Sequence, residues 1–285
     1  VFHRRTLRIA IAATAVVLAA GGTTLASAAP ARHTTPTTPA PKPTVVLVNG
    51  AWSDSAGWSG VVKRLQAAGY PVAAPPTELR GLSGDAAYLA AYLKTIAGPI
   101  VLVGQSYGGS VITNAATGGG DVRALVYISA FAPEMGESAA ELTAKFPGTH
   151  ITDDPGAPVP TALSAVPFTK ADGTTGVDLY AKAVKYRDVF LSNRIDNATA
   201  AELAATQSPV TAQALGDPSG QPAWKTIPSW YLVSDDDHLI PPAAQRFMAA
   251  RAHAHTVDAD TPHAAQVTSP GIVAKLIEQA ATGTR

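Results

Sequence analysis

The sequence predicts an α/β fold: a doubly wound, mostly parallel sheet of about six strands, with a helical cap insertion. Short apolar, β-branched runs alternate with amphipathic helical patterns, as repeated strand–helix–strand units require. One such run breaks at Gly-x-Ser-x-Gly straight into a helix-compatible segment, the context of a nucleophile elbow. After a leader and a linker about 240 residues remain, enough to hold a core without disulfides, and the chain has no cysteine.

At the N-terminus Arg4, Arg5 and Arg8 precede an apolar run over residues 9–20 and the small-residue site Ala26-Ser27-Ala28. That order predicts a secretory signal peptide over residues 1–28 and therefore a secreted protein. Arg4-Arg5 also permits twin-arginine export. The apolar run is too short for a membrane span, and no cysteine is present for lipidation, so no stable membrane anchor is expected. Residues 29–43, rich in Pro and Thr, read as an extended linker, and residues 44–285 as the folded domain. Such a linker cannot supply an antiparallel hairpin ahead of the first strand.

Strands are expected at residues 45–48, 72–74, 100–103, 124–128, 230–233 and 256–259, separated by amphipathic segments such as 58–68, 86–96 and 245–252. Gly118-Gly119-Gly120-Asp121 reads as a helix stop and turn before the fourth strand. The interval from Phe131 to Ser229 is too long for a simple crossover. With helical stretches expected at 177–187 and 198–205, it is read as a cap over about residues 134–222.

Within Gly104-Gln105-Ser106-Tyr107-Gly108 the serine sits at a sharp strand-to-helix turn, which needs sparsely allowed backbone angles and neighbours without side chains. The turn also places the Tyr107 N–H at a helix N-terminus, where the dipole favours an oxyanion. Ser106 is thus the candidate nucleophile, and it needs a base and a group to orient that base. Two expected strand ends offer them: Asp235-Asp236-Asp237-His238 follows the fifth strand, and Asp260-Thr261-Pro262-His263 follows the sixth. Position sets aside His3 in the leader, His33 in the linker, His150 in the middle interval, and His253 and His255 beside the last strand. His263 is the preferred base. His238 is its rival, although it would have to fold back onto its own strand end.

Composition narrows the partners. Basic and acidic residues balance at 21 each, and loss of the leader removes three arginines and no acid, leaving a net charge of −3. A slightly acidic domain argues against nucleic acid. The sequence has no metal-ligand cluster at recognisable spacing, no phosphate-binding Gly-x-Gly-x-x-Gly after a strand and no internal repeat.

The elbow, the chain order Ser, Asp, His, and the segment Val46-Leu47-Val48-Asn49-Gly50-Ala51-Trp52 together resemble the α/β-hydrolase superfamily over residues 44–285. Asn49-Gly50-Ala51-Trp52 with Trp58 a turn later, Val126-Tyr127-Ile128-Ser129-Ala130-Phe131-Ala132-Pro133, and the stretch from Pro222 to Trp230 are similar to small bacterial esterases related to plant methyl-ester hydrolases and hydroxynitrile lyases. The resemblance implies that the backbone N–H groups of Ala51 and Tyr107 form an oxyanion hole. Asn49 departs from the family's usual histidine, so side-chain bracing of that loop does not carry over. The spacing of Asp237 to Ile240-Pro241 resembles the family's acid turn and makes Asp237 the preferred orienting acid, with Asp236 the alternative.

The implied reaction is hydrolysis of a small-molecule carboxylic ester through an acyl-enzyme, without cofactor or metal. Trp52 and Phe131, together with Tyr107, are expected against a small to medium apolar acyl group. A lyase, thioesterase, lactonase or perhydrolase would use the same residues, and the fold also hosts non-catalytic ligand-binding proteins. The alcohol half of the ester and the oligomeric state are not encoded in any of these features.

Overall fold

The computed structural model describes residues 41–284; the expected leader and the linker up to residue 40 lie outside the described residues. β1 (Thr44–Val48) and α1 (Ser59–Ala67) are followed by β2 (Val72–Ala73), α2 (Leu82–Leu93), β3 (Pro99–Gln105), α3 (Tyr107–Ala115) and β4 (Asp121–Ile128). An insertion then holds α4 (Ala139–Ala144), β5 (Leu163–Thr169), β6 (Thr175–Ala181), α5 (Ala183–Leu191), α6 (Asn197–Ala205), β7 (Val210–Thr211) and α7 (Ala212–Gly216). The chain returns as β8 (Ser229–Ser234), α8 (Pro242–Arg251), β9 (His255–Ala259), α9 (Ala265–Thr268) and α10 (Pro270–Gly283).

The six strands expected from apolar runs form one parallel sheet in the order β2-β1-β3-β4-β8-β9. Both faces of the central strands are covered, which explains why their runs read as continuously apolar, whereas the edge strand β9 is largely exposed. Alternate residues go to opposite layers. Val46, Val48, Ile100, Leu102, Leu125, Tyr127, Tyr231 and Val233 share one buried cluster with residues of α2, α3 and α8. Val45, Leu47, Val101, Val103, Val126, Ile128 and Leu232 share the other with residues of α1 and α10. In α10 the buried set Val273, Ala274, Leu276, Ile277, Ala280 and Ala281 follows the helical repeat. Each large aliphatic side chain so buried contributes about 1.5–3 kcal/mol relative to exposure.

The insertion differs from the all-helical expectation. Residues 177–187, expected as one helix, are the end of β6, a break at Lys182, and the start of α5. β5, β6 and β7 make a three-stranded antiparallel sheet. Its hairpin turns at Asp172-Gly173, with Gly173 at φ +82°, and Asp172 Oδ1 accepts from the Thr174 N–H at 2.9 Å. An Asp-Gly pair between β-prone segments is the local sign of such a turn. Val177, Leu179 and Ala181 fit a strand period of two, while Val177, Tyr180, Ala181 and Val184 fit a helical one, and pairing with β5 decides between them.

Parallel pairing also gathers chain ends. Val48 pairs with Gly104 and Gln105 with Ile128, so the residues after β1, β3 and β4 leave the sheet side by side. The loops after β8 and β9 are clasped by Asp235 N donating to Ala259 O at 2.9 Å and Asp236 N to Thr261 O at 3.2 Å. Every site residue proposed from the sequence thus comes from the carboxyl end of the sheet or a segment that follows it.

Candidate active site

Ser106 occupies the junction of β3 and α3 with φ 54° and ψ −126°. A non-glycine residue at positive φ costs on the order of 1–3 kcal/mol and persists only where its surroundings hold it. Here Ser106 N donates to Ile128 O at 3.3 Å, while Ser106 O accepts from Gly109 N at 2.9 Å and Phe131 N at 3.1 Å. The flanking glycines are demanded by contact: a Cβ on Gly104 would lie 2.5 Å from Gly108 O, and one on Gly108 2.5 Å from Val48 O. Tyr107 opens α3, so its N–H belongs to the first turn, which has no intrahelical acceptor.

His263 and Asp237 meet across the loops after β9 and β8, Nδ1 to Oδ2 at 2.8 Å, both almost fully buried. Asp237 Oδ1 also accepts from the N–H groups of Leu239 at 2.7 Å and Ile240 at 2.9 Å, and Oδ2 from Gln245 Nε2 at 2.7 Å. Donors therefore converge on both oxygens of an acceptor-only group. The two neighbouring acids turn outward. Asp235 pairs with Arg246, and Asp236 receives Arg194 Nε at 2.7 Å. The rival His238 points its Nδ1 to Asp188 Oδ1 at 3.1 Å, away from Asp237.

The remaining nitrogen of His263, Nε2, lies 3.2 Å from Gln105 Nε2, and the same amide donates to His263 O at 3.2 Å. With Nδ1–H given to Asp237, Nε2 is the acceptor, a tautomer assigned from this network. Among the described residues Ser106 Oγ makes no hydrogen bond to His263; Gln105, its predecessor in the chain, holds that lone pair instead. Sequence reasoning missed Gln105 and Gln245. Gln105 stood in plain view as the variable position of the motif, whereas no local pattern pointed to Gln245.

The loop after β1 is braced by its own asparagine. Asn49 Nδ2 donates to Gly50 O at 3.1 Å and Ser53 O at 3.2 Å, and Asn49 Oδ1 accepts from Thr77 Oγ1 at 3.3 Å. The departure from histidine therefore leaves side-chain bracing in place. Trp52, at φ 56°, is tied to the insertion: its Nε1 donates to Leu179 O at 2.9 Å and its carbonyl accepts from Tyr186 Oη at 2.9 Å.

Ala51, Trp52, Ser106, Tyr107 and Phe131 all line one cavity of about 1000 Å³, which apolar insertion residues such as Ile151, Leu163 and Leu179 also line. His263 and Gln105 line an adjoining space of about 450 Å³, which Ala51 and Trp52 also border. The Tyr107 hydroxyl does not serve the cavity; it donates to Asp85 Oδ2 on α2 at 2.8 Å.

Burial raises the pKa of Asp85, and burial followed by the Asp85 charge raises that of Tyr107. A carboxyl whose folded pKa is raised binds protons more readily folded than unfolded. Its contribution is present below the unfolded pKa and lost as pH rises through the folded one. Asp85→Asn keeps an oxygen for Tyr107 and is expected to flatten this fall, measured as unfolding free energy by urea denaturation across a pH series. An unchanged slope would remove Asp85 from the account.

Among the described residues one group has metal-ligand geometry: His150, Asp188 and His238. No metal site was named from the sequence, and these three residues come together only in the fold. Its members come from widely separated positions, so no spacing in the sequence announced it.

A strand-ordered parallel sheet with helices on both faces, a strained serine at the end of β3 and a buried Asp–His pair in the last two loops define the α/β hydrolase class of architecture. The chain belongs to the alpha/beta hydrolase family, whose family model matches residues 45–276. The alpha/beta hydrolase nvfD of Aspergillus novofumigatus is 28% identical over 263 residues, covering 84% of this chain and 97% of that protein. The carbendazim hydrolyzing esterase of Nocardioides is 35% identical over 113 residues, covering 35% of this chain and 47% of that protein. Among solved structures, the methylesterase MES16 of Arabidopsis superposes with a TM-score of 0.67 at 16% identity, over 85% of this chain and 99% of that one.

Proposed function

We propose that this protein is a secreted serine hydrolase that cleaves small-molecule carboxylic esters through an acyl-enzyme. The observation that carries the reading is the strained Ser106 at the end of β3 beside the buried His263–Asp237 pair, 2.8 Å across. His263 Nε2 takes the proton of Ser106 Oγ as the oxygen attacks the ester carbonyl, with the Gln105 amide giving up the Nε2 lone pair. Asp237 holds Nδ1–H and stabilises the imidazolium. The N–H groups of Ala51 and Tyr107 receive the oxyanion, each worth about 2.7–4 kcal/mol in the transition state. The imidazolium protonates the leaving alcohol; water, activated by the same nitrogen, then releases the acid.

The cavity of about 1000 Å³ beside Ser106, walled by Trp52, Phe131 and the apolar side chains of the insertion, fits a bulky apolar ester better than a small one. This favours a larger acyl or alcohol group than the sequence alone suggested. The insertion acts as the cap of the site, because Leu179 and Tyr186 hold Trp52 in place. Export rests on the leader pattern of residues 1–28.

An ester series of increasing acyl length, run on the purified mature protein with and without a serine-directed phosphonate, tests the reading. Hydrolysis should rise toward bulky apolar esters and stop with one phosphonate on Ser106, located by peptide mass. Labelling elsewhere, or activity indifferent to the phosphonate, would sink the acyl-enzyme.

A further inference from the structure

His150, Asp188 and His238 lie on three separate segments: the loop before β5, α5, and the turn after β8 that also carries Asp237. Both imidazoles aim Nδ1 at one carboxylate, His150 to Asp188 Oδ2 at 2.9 Å and His238 to Asp188 Oδ1 at 3.1 Å. One ligand atom from each residue can be chosen so that all lie within 4.8 Å of one another. The two rings are tilted by 32° with centroids 4.0 Å apart, and His150 N donates to His238 O at 2.7 Å, which fixes the two backbones together.

These separations suit a bound ion. Ligands about 2.0–2.1 Å from a tetrahedral zinc lie roughly 3.3 Å from each other, and each imidazole stands at about that distance from one of the two Asp188 oxygens, which a small turn of the carboxylate would bring to a shared ion. The third edge closes by rotation of His150, whose side chain is half exposed. His238 also has an outer partner: its Nε2 lies 3.4 Å from Asp236 Oδ1, and Asp236 is itself held by Arg194. In this structure Nδ1 of His238 donates toward Asp188 O and Oδ1, each at 3.1 Å; a carboxylate behind the far nitrogen is how metal-binding histidines are set in the other tautomer, with the proton on Nε2 and Nδ1 released to ligate.

We propose that His150, Asp188 and His238 bind one divalent ion of the zinc type, with water in the fourth position. Two imidazoles and one carboxylate match such an ion better than calcium or magnesium, which take oxygen ligands. Binding needs no net proton release from neutral histidines, because each ring proton moves from Nδ1 to Nε2. The ion pins the insertion, through the loop before β5 and α5, to the turn that presents Asp237. It is a staple that contacts none of the reacting atoms and acts through the turn carrying Asp237.

The test uses the purified mature protein after chelator treatment and dialysis. Titration with zinc chloride in a calorimeter should show one ion per chain at low-micromolar affinity or tighter. Cobalt chloride should give the intense visible bands of tetrahedral cobalt, and zinc should raise the melting temperature. His150→Ala and Asp188→Asn should abolish the bands, Asp236→Asn should weaken zinc binding about 10–100-fold, and His253→Ala should change nothing. Absence of stoichiometric binding by the unmutated protein would overturn the proposal, leaving a hydrogen-bonded His–Asp–His cluster. So would cobalt bands that survive in the His150→Ala, His238→Ala double variant. Neither readout depends on ester hydrolysis, so failure of the proposed reaction would leave this test intact.

Discussion

Ser106→Ala and His263→Ala are each expected to lower kcat on an ester substrate by about 10⁶, and the double variant to be little worse than either, because nucleophile and base act as a unit. Asp237→Asn should lose less, on the order of 10⁴. The geometry explains why asparagine fails. If its oxygen keeps the N–H groups of Leu239 and Ile240, its amide nitrogen faces two further donors, Gln245 Nε2 and His263 Nδ1. His263 must then move its proton to Nε2, where it can no longer accept one from serine. Circular dichroism melts would verify that each variant is folded. Full hydrolysis by Ser106→Ala would end the acyl-enzyme reading, and silencing by His238→Ala with His263→Ala active would show the base to be misassigned.

Gly50→Ala should be the next most damaging change, lowering kcat about 10²–10³, the loss that follows removal of one oxyanion donor. Gly50 is not at positive φ, so alanine is tolerated by its backbone angles and the effect is steric. A Cβ there would lie 2.5 Å from Ser106 Cβ, 2.7 Å from Gln105 Oε1 and 2.9 Å from Gln105 O. Relief must come from moving the β1 loop away from β3, which carries the Ala51 N–H away from Ser106. Steady-state kinetics and a urea melt separate the outcomes. A large loss of kcat with about 1–3 kcal/mol of destabilisation is expected from overpacking of this kind. Unchanged kcat would mean that Ala51 N–H takes no part in the reaction.

The parallel sheet was legible because its central strands are apolar runs whose burial on both faces leaves a mark at that point in the chain, while the edge strand β9 is largely exposed. The hairpin of β5 and β6 was not. Residues 177–181 satisfy helical and strand periods alike, and only their partners across the hairpin choose between them. Ser106 was legible for the reason the sheet was: a strand, a glycine-flanked turn and a helix are neighbours in sequence. Gln245 and the His150 cluster were hidden because their partners lie on other segments, reached through loops whose path no local pattern records.

The acid turn marks the boundary between the two kinds of information. The sequence by itself determined that three aspartates would stand at the end of a strand beside a histidine-bearing loop, since the strand ends where its apolar run ends. Which aspartate turns inward was decided by the tertiary structure. Asp237 is drawn in by the N–H groups of Leu239 and Ile240 and by Gln245 from α8, while Arg246 and Arg194 draw Asp235 and Asp236 out. A carboxylate follows its donors, and most of these donors arrive from elements elsewhere in the chain.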